Sequence, residues 1–444
     1  MPTLRPFRAL RYGMSGTDLS AVLCPPYDII SSAERQALLA RDPHNAVRIE
    51  LPAEVGQADA EAYGRAARTV AEWRSDRTLV KDRGPTVTLH RMTWSAAKDE
   101  EHSCTGVFAR LRLEPFRPGS GILPHERTMS GPKEDRYLLL RATGLNTSPI
   151  VFLAQDDPAV SAALGELTAG PPDAQAETSD GVRHDLWIHP ATAADGDGHR
   201  DGSTAQPAVL LERLASAPVT IADGHHRFET ALRYREERGR NRACESDPAW
   251  DYVLALLYPI GQAPPALPTH RVILDGPRGD DLLASLAELF DVEGMPERAA
   301  LLARMADGLE PPPDATGTGR IGVLSASRAA ILTGPRPALD AHLPAGLSQA
   351  SRGLDVNVLG AAIERLFGAD AGTLAEHGRL RYVKDADEAT GLVETGEAAS
   401  CFLLDPMPPS AITRVAAAGE VMPQKSTYFH PKAPTGLLFG PLEW

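Results

Sequence analysis

Residues 222–227 bring together a carboxylate, a glycine, two imidazoles and a guanidinium in one short run. The preceding residues 218–222 are β-branched and apolar, as in a buried strand, and apolar residues follow at helical spacing. This pattern predicts a strand, a turn and a helix, with Asp223 as the N-cap and Gly224 relaxing the backbone. Because the positive end of a helix dipole favours anions, the run predicts a site for an anionic, phosphorylated ligand.

Each side chain of this run has an expected part in phosphate chemistry. We expect Gly224, His225 and Arg227 to contact the phosphate, and His226 to contact it or to act as a catalytic group together with Asp223. Two other interpretations stay open. One is a capped helix with exposed histidines, and the other is a Zn or Mn site, although adjacent histidines rarely point at one ion.

A second polar cluster precedes an apolar helical stretch at residues 137–140. Either Glu126 or His125 can deprotonate a hydroxyl nucleophile, which makes both candidate catalytic residues. Nearby residues supply positive charge and a hydroxyl for a phosphate: Arg127, Thr128, Lys133 and Arg136. The alternative is a solvated helix start with alternating charges.

Three further segments are candidates for substrate contacts. Residues 24–30 combine two prolines with Tyr27 and Asp28, and such a rigid loop either positions a substrate or forms a stiff turn that caps a helix. Two clusters of basic and hydroxyl residues complete the set, with surface polarity as their alternative. They are His270 with Arg271, and Lys425 with Ser426 and Thr427.

Composition excludes several classes of function. The net charge of -14, from 45 basic and 59 acidic residues, repels a phosphate backbone and argues against nucleic-acid binding. No stretch approaches the roughly 20 apolar residues of a membrane span, and no signal peptide is visible at the start. Four widely separated cysteines indicate neither a disulfide framework nor a zinc site, so we expect a cytoplasmic protein. The oligomeric state stays open.

A chain of 444 residues exceeds one ordinary core, so we expect several subdomains. The predicted segments are an α+β subdomain (1–154), a solvated insertion (155–207), a phosphate-binding core (208–310), a linker (311–320) and a C-terminal α/β subdomain (321–444). Residues 47–51 and 86–90 are predicted as strands, and residues 58–73 and 280–309 as helical. Residues 252–260 and 267–274 are expected to form the heart of the phosphate-binding core. The sequence has no Walker motif, no GxSxG motif and no GxGxxG motif after a predicted strand.

Five ordered motifs together resemble the domain of unknown function 1015 family over nearly the whole chain. They lie at residues 24–30, 124–136, 222–231, 268–271 and 422–429. More distantly, residues 223–227 resemble the phosphate-binding motif of the ParB/sulfiredoxin superfamily. That superfamily includes nucleotide-hydrolysing partition proteins, sulfiredoxins and free serine kinases. The resemblance implies an α/β (α+β) protein of several subdomains with a ParB/sulfiredoxin-like core.

The resemblance also implies an activity. It points to a phosphotransferase or phosphatase acting on a small metabolite, with serine or O-phosphoserine favoured and with ATP or ADP as the nucleotide, which can carry Mg²⁺. In the serine kinases an acidic residue activates the serine hydroxyl; no motif here matches it, and Glu126 is our candidate. The chain lacks the basic face of a partition protein and the reactive cysteine of a sulfiredoxin. The alternatives are a non-catalytic nucleotide or phosphometabolite sensor and a metal-dependent hydrolase.

Overall fold

A computed structural model describes most of the chain. The described residues are 1–13, 17–54, 60–95, 101–117, 119–126, 131–191, 206–240, 247–307, 316–326, 328–423 and 425–444, without the side chains of 131–133 and 240. Contacts divide the chain into two units. The first unit comprises residues 1–124, 128–264 and 431–444, and the second comprises residues 125–127 and 265–430.

The first unit contains most of the strands. They are β1 (Leu4–Arg5), β2 (Leu10–Tyr12), β3 (Leu79–Lys81), β4 (Thr86–Ser95), β5 (Glu101–Arg112), β6 (Ile122–Leu123), β7 (Leu145–Asn146), β8 (Ile150–Ala154), β9 (Ala174–Glu177), β10 (Arg183–Pro190), β11 (Val219–Asp223) and β12 (Tyr252–Pro259). Its helices are α1 (Leu19–Val22), α2 (Ser32–Arg41), α3 (Val47–Glu50), α4 (Ala60–Ser75), α5 (Gly131–Thr143), α6 (Pro158–Leu167), α7 (Pro207–Leu214) and α8 (His225–Arg240).

A nine-stranded mixed sheet organises the first unit, in the order β6-β11-β8-β12-β5-β4-β10-β9 with β1 also on β5. All eight residues of β12 are buried, as expected for a strand in the middle of a covered sheet. The strands β6 and β11 are parallel neighbours, and β8 runs antiparallel to β11. The chain therefore leaves β6 and β11 at the same edge of the sheet.

The second unit is built on a separate sheet. Its strands are β13 (Ala266–Leu267), β14 (His270–Ile273), β15 (Asp291–Met295), β16 (Ile321–Ser325), β17 (Arg328–Thr333), β18 (Leu380–Val383), β19 (Ser400–Leu404) and β20 (Tyr428–Phe429). Its helices are α9 (Gly279–Ala287), α10 (Arg298–Ala306), α11 (Gln349–Arg352), α12 (Asp355–Phe367), α13 (Ala371–Glu376), α14 (Ala386–Glu394) and α15 (Pro409–Ala417). Six strands pair antiparallel in the order β15-β17-β16-β19-β14-β18, and β13 pairs with β20.

The segment 431–444 returns to the first unit after the second unit is complete. Phe439 exchanges two backbone hydrogen bonds with Leu10, at 2.8 and 3.1 Å, and Thr435 exchanges two with Cys24. The last strand, β21 (Gly440–Pro441), pairs with β7. Phe439 is completely buried, so this segment is part of the core of the first unit.

The mixed α/β class is confirmed, and so are the strand at 86–90 and the helix at 58–73. The predicted strand at 47–51 is wrong. These residues form α3 because Asn45 accepts a hydrogen bond from the Val47 amide and donates to carbonyls of α1 and its C-cap. A tertiary anchor therefore overrides the β-branched pattern.

The predicted solvated insertion is also corrected over residues 155–191. Asp157 caps α6, and Leu164, Leu167 and Trp187 are buried in the core with β8 and β12. The Asp and Pro residues therefore mark a helix start rather than a solvated segment. Residues 192–205 and the predicted linker residues 311–315 lie outside the described part of the chain.

The second half of the chain differs from the prediction at two further places. The helical stretch 280–309 is interrupted by β15, which pairs with β17 along its whole length. The residues 252–260 and 267–274 do not share one core, because β12 lies between β8 and β5 in the first unit while β14 belongs to the second. None of the described helices is long and apolar enough to cross a membrane.

The pair Arg320 and Asp405 joins the start of β16 to the end of β19. Arg320 Nε and Nη2 donate to the two Asp405 carboxylate oxygens at 2.9 and 2.7 Å, and both side chains are at most 3% exposed. The remaining Nη1 donates to the Arg304 carbonyl at the end of α10. Burying these charges costs free energy, which the bidentate geometry offsets.

We expect Arg320→Met to lower the free energy of unfolding by about 3–5 kcal/mol, because it leaves Asp405 buried without a counter-charge. Urea unfolding followed by circular dichroism measures the change. The matched control is Arg336→Met, since Arg336 pairs with Asp291 in an exposed position. Equal effects of the two substitutions would contradict this account of the buried pair.

Candidate functional site

The turn between β11 and α8 has the predicted strand, turn and helix. The strand residues 219–222 are buried, and Gly224 has φ +96°, a backbone conformation that favours glycine. A Cβ at Gly224 would lie 3.0–3.1 Å from the guanidinium of Arg227, so the absence of a side chain also makes room for that group. Helix α8 begins at His225, and the positive end of its dipole therefore lies at this turn.

Asp223 is not the N-cap of α8. It is the last residue of β11, and its carboxylate accepts hydrogen bonds from Arg227 Nη2 at 2.7 Å and Lys432 Nζ at 3.2 Å. Lys432 also donates to Asp28 at 2.6 Å, while Arg227 Nη1 donates to the Pro149 carbonyl. Two carboxylates and two cations therefore form one network. The predicted helix cap at Asp28 is wrong too, because Ser31 caps α2.

The ionisation of this network is fixed near neutral pH. Burial disfavours the charged form of Asp223, but the charges of Lys432 and Arg227 outweigh it and hold the pKa at about 2. Burial likewise disfavours charged Lys432, but Asp223 and Asp28 raise its pKa above the ordinary value. Burial raises the pKa of Tyr27, which adjoins the network. These groups hold charges in place and do not exchange protons at pH 7.

Arg136 and Tyr27 lie beside the network in the same unit. The Arg136 guanidinium is 4.1 Å from the centre of the Tyr27 ring, and it donates to the Glu50 carbonyl at 2.8 Å and to Asp135. Glu50 is completely buried, and one carboxylate oxygen accepts from Ser148 at 3.0 Å. Glu50 was not among the residues predicted from the sequence, because the run that contains it has the pattern of an ordinary strand.

A small cleft of about 40 Å³ lies in the first unit between α5, the strand β7 and the start of α8. Two guanidinium groups, of Arg136 and Arg227, line it together with four uncharged polar side chains. The polar residues are Asn146, Thr147, Ser148 and Thr230. Five apolar side chains complete the lining. A mainly apolar wall with a few charged and polar groups is typical of a small-ligand site.

His225 and His226 occupy the first turn of α8 as predicted. His225 is buried and lies near Asp223, whereas His226 is half-buried and its carbonyl accepts a hydrogen bond from Thr230. The structure therefore brings Asp223, Gly224, His225, His226 and Arg227 together with Tyr27, Asp28 and Arg136. Lys432 joins them without having been predicted, because it lies 209 residues away from Asp223 in the sequence.

The second unit contains the other predicted cluster. His125 is completely buried, and its Nε2 lies 3.0 Å from Thr427 Oγ1. Glu126 accepts a hydrogen bond from the Lys425 amide at 2.9 Å, and Lys425 has φ +59°. The hydroxyl of the next residue, Ser426, donates a hydrogen bond to the Pro423 carbonyl at 2.6 Å. These contacts tie the loop before β20 to the residues that follow β6.

His270 and Arg271 occupy neighbouring positions in β14. His270 Nδ1 accepts from the Leu404 amide, and burial lowers its pKa to about 4, so the ring is neutral at pH 7. Arg271 is 3% exposed and stacks near the Tyr382 ring. Arg127, Thr128 and the side chain of Lys133 lie outside the described residues. Among the residues that are described, no group of three or more His, Cys, Asp or Glu side chains could hold a metal ion.

A family model described as "Protein of unknown function (DUF1015)" matches residues 4–357 of this chain. The chain belongs to the DUF1015 family. This confirms the resemblance that the five sequence motifs predicted. No curated protein matches the chain.

Several solved structures are similar to this DUF1015 protein at low identity. A free serine kinase in complex with AMP has 12% identity and a TM-score of 0.33, over 73% of this chain and 86% of that chain. A conserved hypothetical protein from Pyrococcus furiosus has 11% identity and a TM-score of 0.31, over 73% and 89%. SbnI with a C-terminal truncation, from Staphylococcus aureus, has 12% identity and a TM-score of 0.30, over 71% and 82%.

We expect Gly224→Ala to destabilise the first unit by about 1–3 kcal/mol, because alanine is strained at positive φ and its Cβ displaces Arg227. Gly239→Ala in the same helix is the matched control. Its Cβ meets nothing within 4 Å, so it should leave stability unchanged or raise it by up to about 1 kcal/mol. Urea unfolding of both variants tests the difference, and equal stabilities would refute the strained-turn account.

The ion pairs of Asp223 predict a pH dependence. Its folded pKa of about 2 lies below the unfolded value near 3.9, so its contribution of about 2 kcal/mol is present above pH 5 and is lost as the pH falls towards 2. Asp223→Asn should be less stable at pH 7 and should lose less stability between pH 6 and pH 3. Urea midpoints across this range measure how steeply stability changes with pH. The control Asp275→Asn changes an exposed carboxylate and should keep the wild-type slope.

Proposed function

We propose that the protein is a nucleotide-dependent phosphotransferase acting on a small hydroxylated metabolite, with the nucleotide phosphates at the start of α8. The observation that carries the proposal is the turn at Gly224. There the positive end of a 16-residue helix meets the fixed guanidinium of Arg227, beside a cleft lined by a second arginine, Arg136. Such an arrangement favours a phosphate over a neutral ligand.

The residues around this turn have distinct parts in the proposal. His225, His226 and Arg227 contact the phosphates, and Lys432 adds positive charge. Asp223 holds Arg227 and Lys432 in place and transfers no proton, because its pKa is about 2. Glu126 is the group that accepts the proton of the acceptor hydroxyl.

The reaction we propose is an in-line transfer. The acceptor oxygen bonds to the terminal phosphorus of the nucleotide while the bond from that phosphorus to the bridging oxygen breaks, and the shortened nucleotide leaves with the electron pair. Glu126 takes the hydroxyl proton. L-serine is the first acceptor to test, because residues 223–227 resemble the phosphate motif of the serine kinases. ATP or ADP is the donor, accompanied by Mg²⁺. In the phosphatase alternative O-phosphoserine is the donor, water is the acceptor, and serine leaves with the electron pair of the broken bond.

One observation favours a second candidate, a non-catalytic sensor of a nucleotide or a phosphometabolite. Asp223 has a lowered pKa, and Lys432, Arg227 and Tyr27 have raised ones, so none of these four groups changes charge near pH 7. A site of fixed charges suits binding as well as transfer. The sensor is stabilised thermally by its ligand and shows no turnover.

The test is incubation of the pure protein with L-serine plus ATP or ADP, and separately with O-phosphoserine, with the products read by mass spectrometry. We expect Glu126→Gln to lose at least about 100-fold in turnover while nucleotide binding is kept, since general base catalysis contributes about 10²–10⁴-fold. His226→Ala should weaken both turnover and nucleotide binding. The controls are Glu376→Gln and His377→Ala, which change exposed residues of the second unit.

The outcomes separate the two candidates. Turnover that survives Glu126→Gln unchanged removes Glu126 from the mechanism. Nucleotide binding without turnover in every combination leaves the sensor. Binding that is identical in the wild type and in His226→Ala places the nucleotide away from α8.

A further inference from the structure

Arg271 is a buried cation in the middle of β14, between β18 and β19. Only 3% of it is exposed. Its Nη1 donates to the Thr269 carbonyl, and its guanidinium carbon lies 5.0 Å from the centre of the Tyr382 ring. Its Nε and Nη2 groups have no acceptor among the residues that the structure describes.

Two other buried arginines of this protein direct that edge at a carboxylate, whereas Arg110, which is 1% exposed, donates from Nη2 to the Pro441 carbonyl and has no partner for Nε among the described residues. Arg320 presents Nε and Nη2 to both oxygens of Asp405, and Arg11 presents the same two nitrogens to Asp82 at 2.8 Å each. This edge of a guanidinium matches the two oxygens of a carboxylate. In Arg271 the same edge is directed at no carboxylate of the described chain, although the residue is as buried as the other two.

The surroundings do not neutralise Arg271. Burial lowers its pKa to about 10. Tyr382 and, to a smaller extent, the negative charge of Glu126 oppose that shift, and Glu126 forms no ion pair with Arg271 within 4 Å. The neighbouring His270 is neutral at pH 7. A buried cation without a close counter-ion is destabilising, so an external anion would relieve the cost.

We propose that the Nε and Nη2 edge of Arg271 binds the carboxylate of a small hydroxy acid or amino acid. This inference rests on the proposed function, in which that acid is the phosphoryl acceptor. The planar edge fits a carboxylate in two parallel hydrogen bonds. The negative charge of Glu126 acts on Arg271 and disfavours the binding of a phosphate dianion beside it. The Glu126 carboxylate also accepts the hydroxyl proton of the bound acid.

The binding test uses the full chain without nucleotide. Calorimetry measures the binding of L-serine, D-glycerate and glycolate, and of ethanolamine, which matches serine without its carboxylate. We expect at least one of the three acids to bind, ethanolamine to bind at least tenfold more weakly than serine, and Arg271→Met to weaken acid binding by about tenfold or more. Binding of none of the acids, or equal binding by Arg271→Met, overturns the proposal.

Stability provides a second, independent measurement. If Arg271 is kept for a ligand, Arg271→Met without ligand should unfold at a temperature equal to or above that of the wild type, whereas Arg320→Met should unfold at a lower one. A similar loss of stability in both variants shows that Arg271 is structural and overturns the proposal.

The two proposals fail in different ways. Acid binding that depends on Arg271, without any phosphoryl transfer, supports the carboxylate site at Arg271 and rules out the phosphotransferase. Phosphoryl transfer to serine, with a KM for serine that is unchanged in Arg271→Met, supports the phosphotransferase and rules out the carboxylate site at Arg271.

Discussion

The carboxylate of Asp223 is the interaction on which the first unit depends most. It joins the end of β11 to Arg227 in α8 and to Lys432 in the last segment of the chain, and Lys432 extends the network to Asp28. Because these charges are largely withdrawn from water, each needs its partners. The turn at Gly224 follows from this constraint, since only a residue without a side chain leaves room for the Arg227 guanidinium.

Both units contain compensated and uncompensated buried charges, since Arg110 of the first unit is 1% exposed and donates only to Asn146 and to the Pro441 carbonyl among the described residues. In the first unit, two acids and two bases compensate one another, so the network holds its geometry without a ligand. In the second unit, Arg320 is compensated by Asp405, but Arg271 is not compensated by a close carboxylate. Compensated charges position other groups, whereas an uncompensated one interacts strongly with any anion that reaches it.

Local patterns predicted local structure well. The β-branched run before Asp223 and the helical spacing after it were sufficient for β11 and α8, and they located Gly224 at the turn. Long-range contacts could not be predicted in this way. Lys432, one of the two partners of Asp223, lies 209 residues further along the chain. Helix α3 replaced an expected strand because Asn45 donates to carbonyls more than 20 residues earlier. Residue type showed which groups could carry charge, but not which charges would be paired.

The position of Lys432 has a consequence for how the protein is made. Ribosomes synthesise a chain from its amino end, so Asp28, Asp223 and the nine-stranded sheet emerge long before residues 431–444. Until that segment arrives, Asp223 and Asp28 lack their shared cation, and Leu10 lacks its backbone partner Phe439. The second unit has to be translated in the meantime. Completion of the first unit therefore waits until the second unit has been translated, and a chain stalled before residue 431 would lack the cation shared by Asp28 and Asp223.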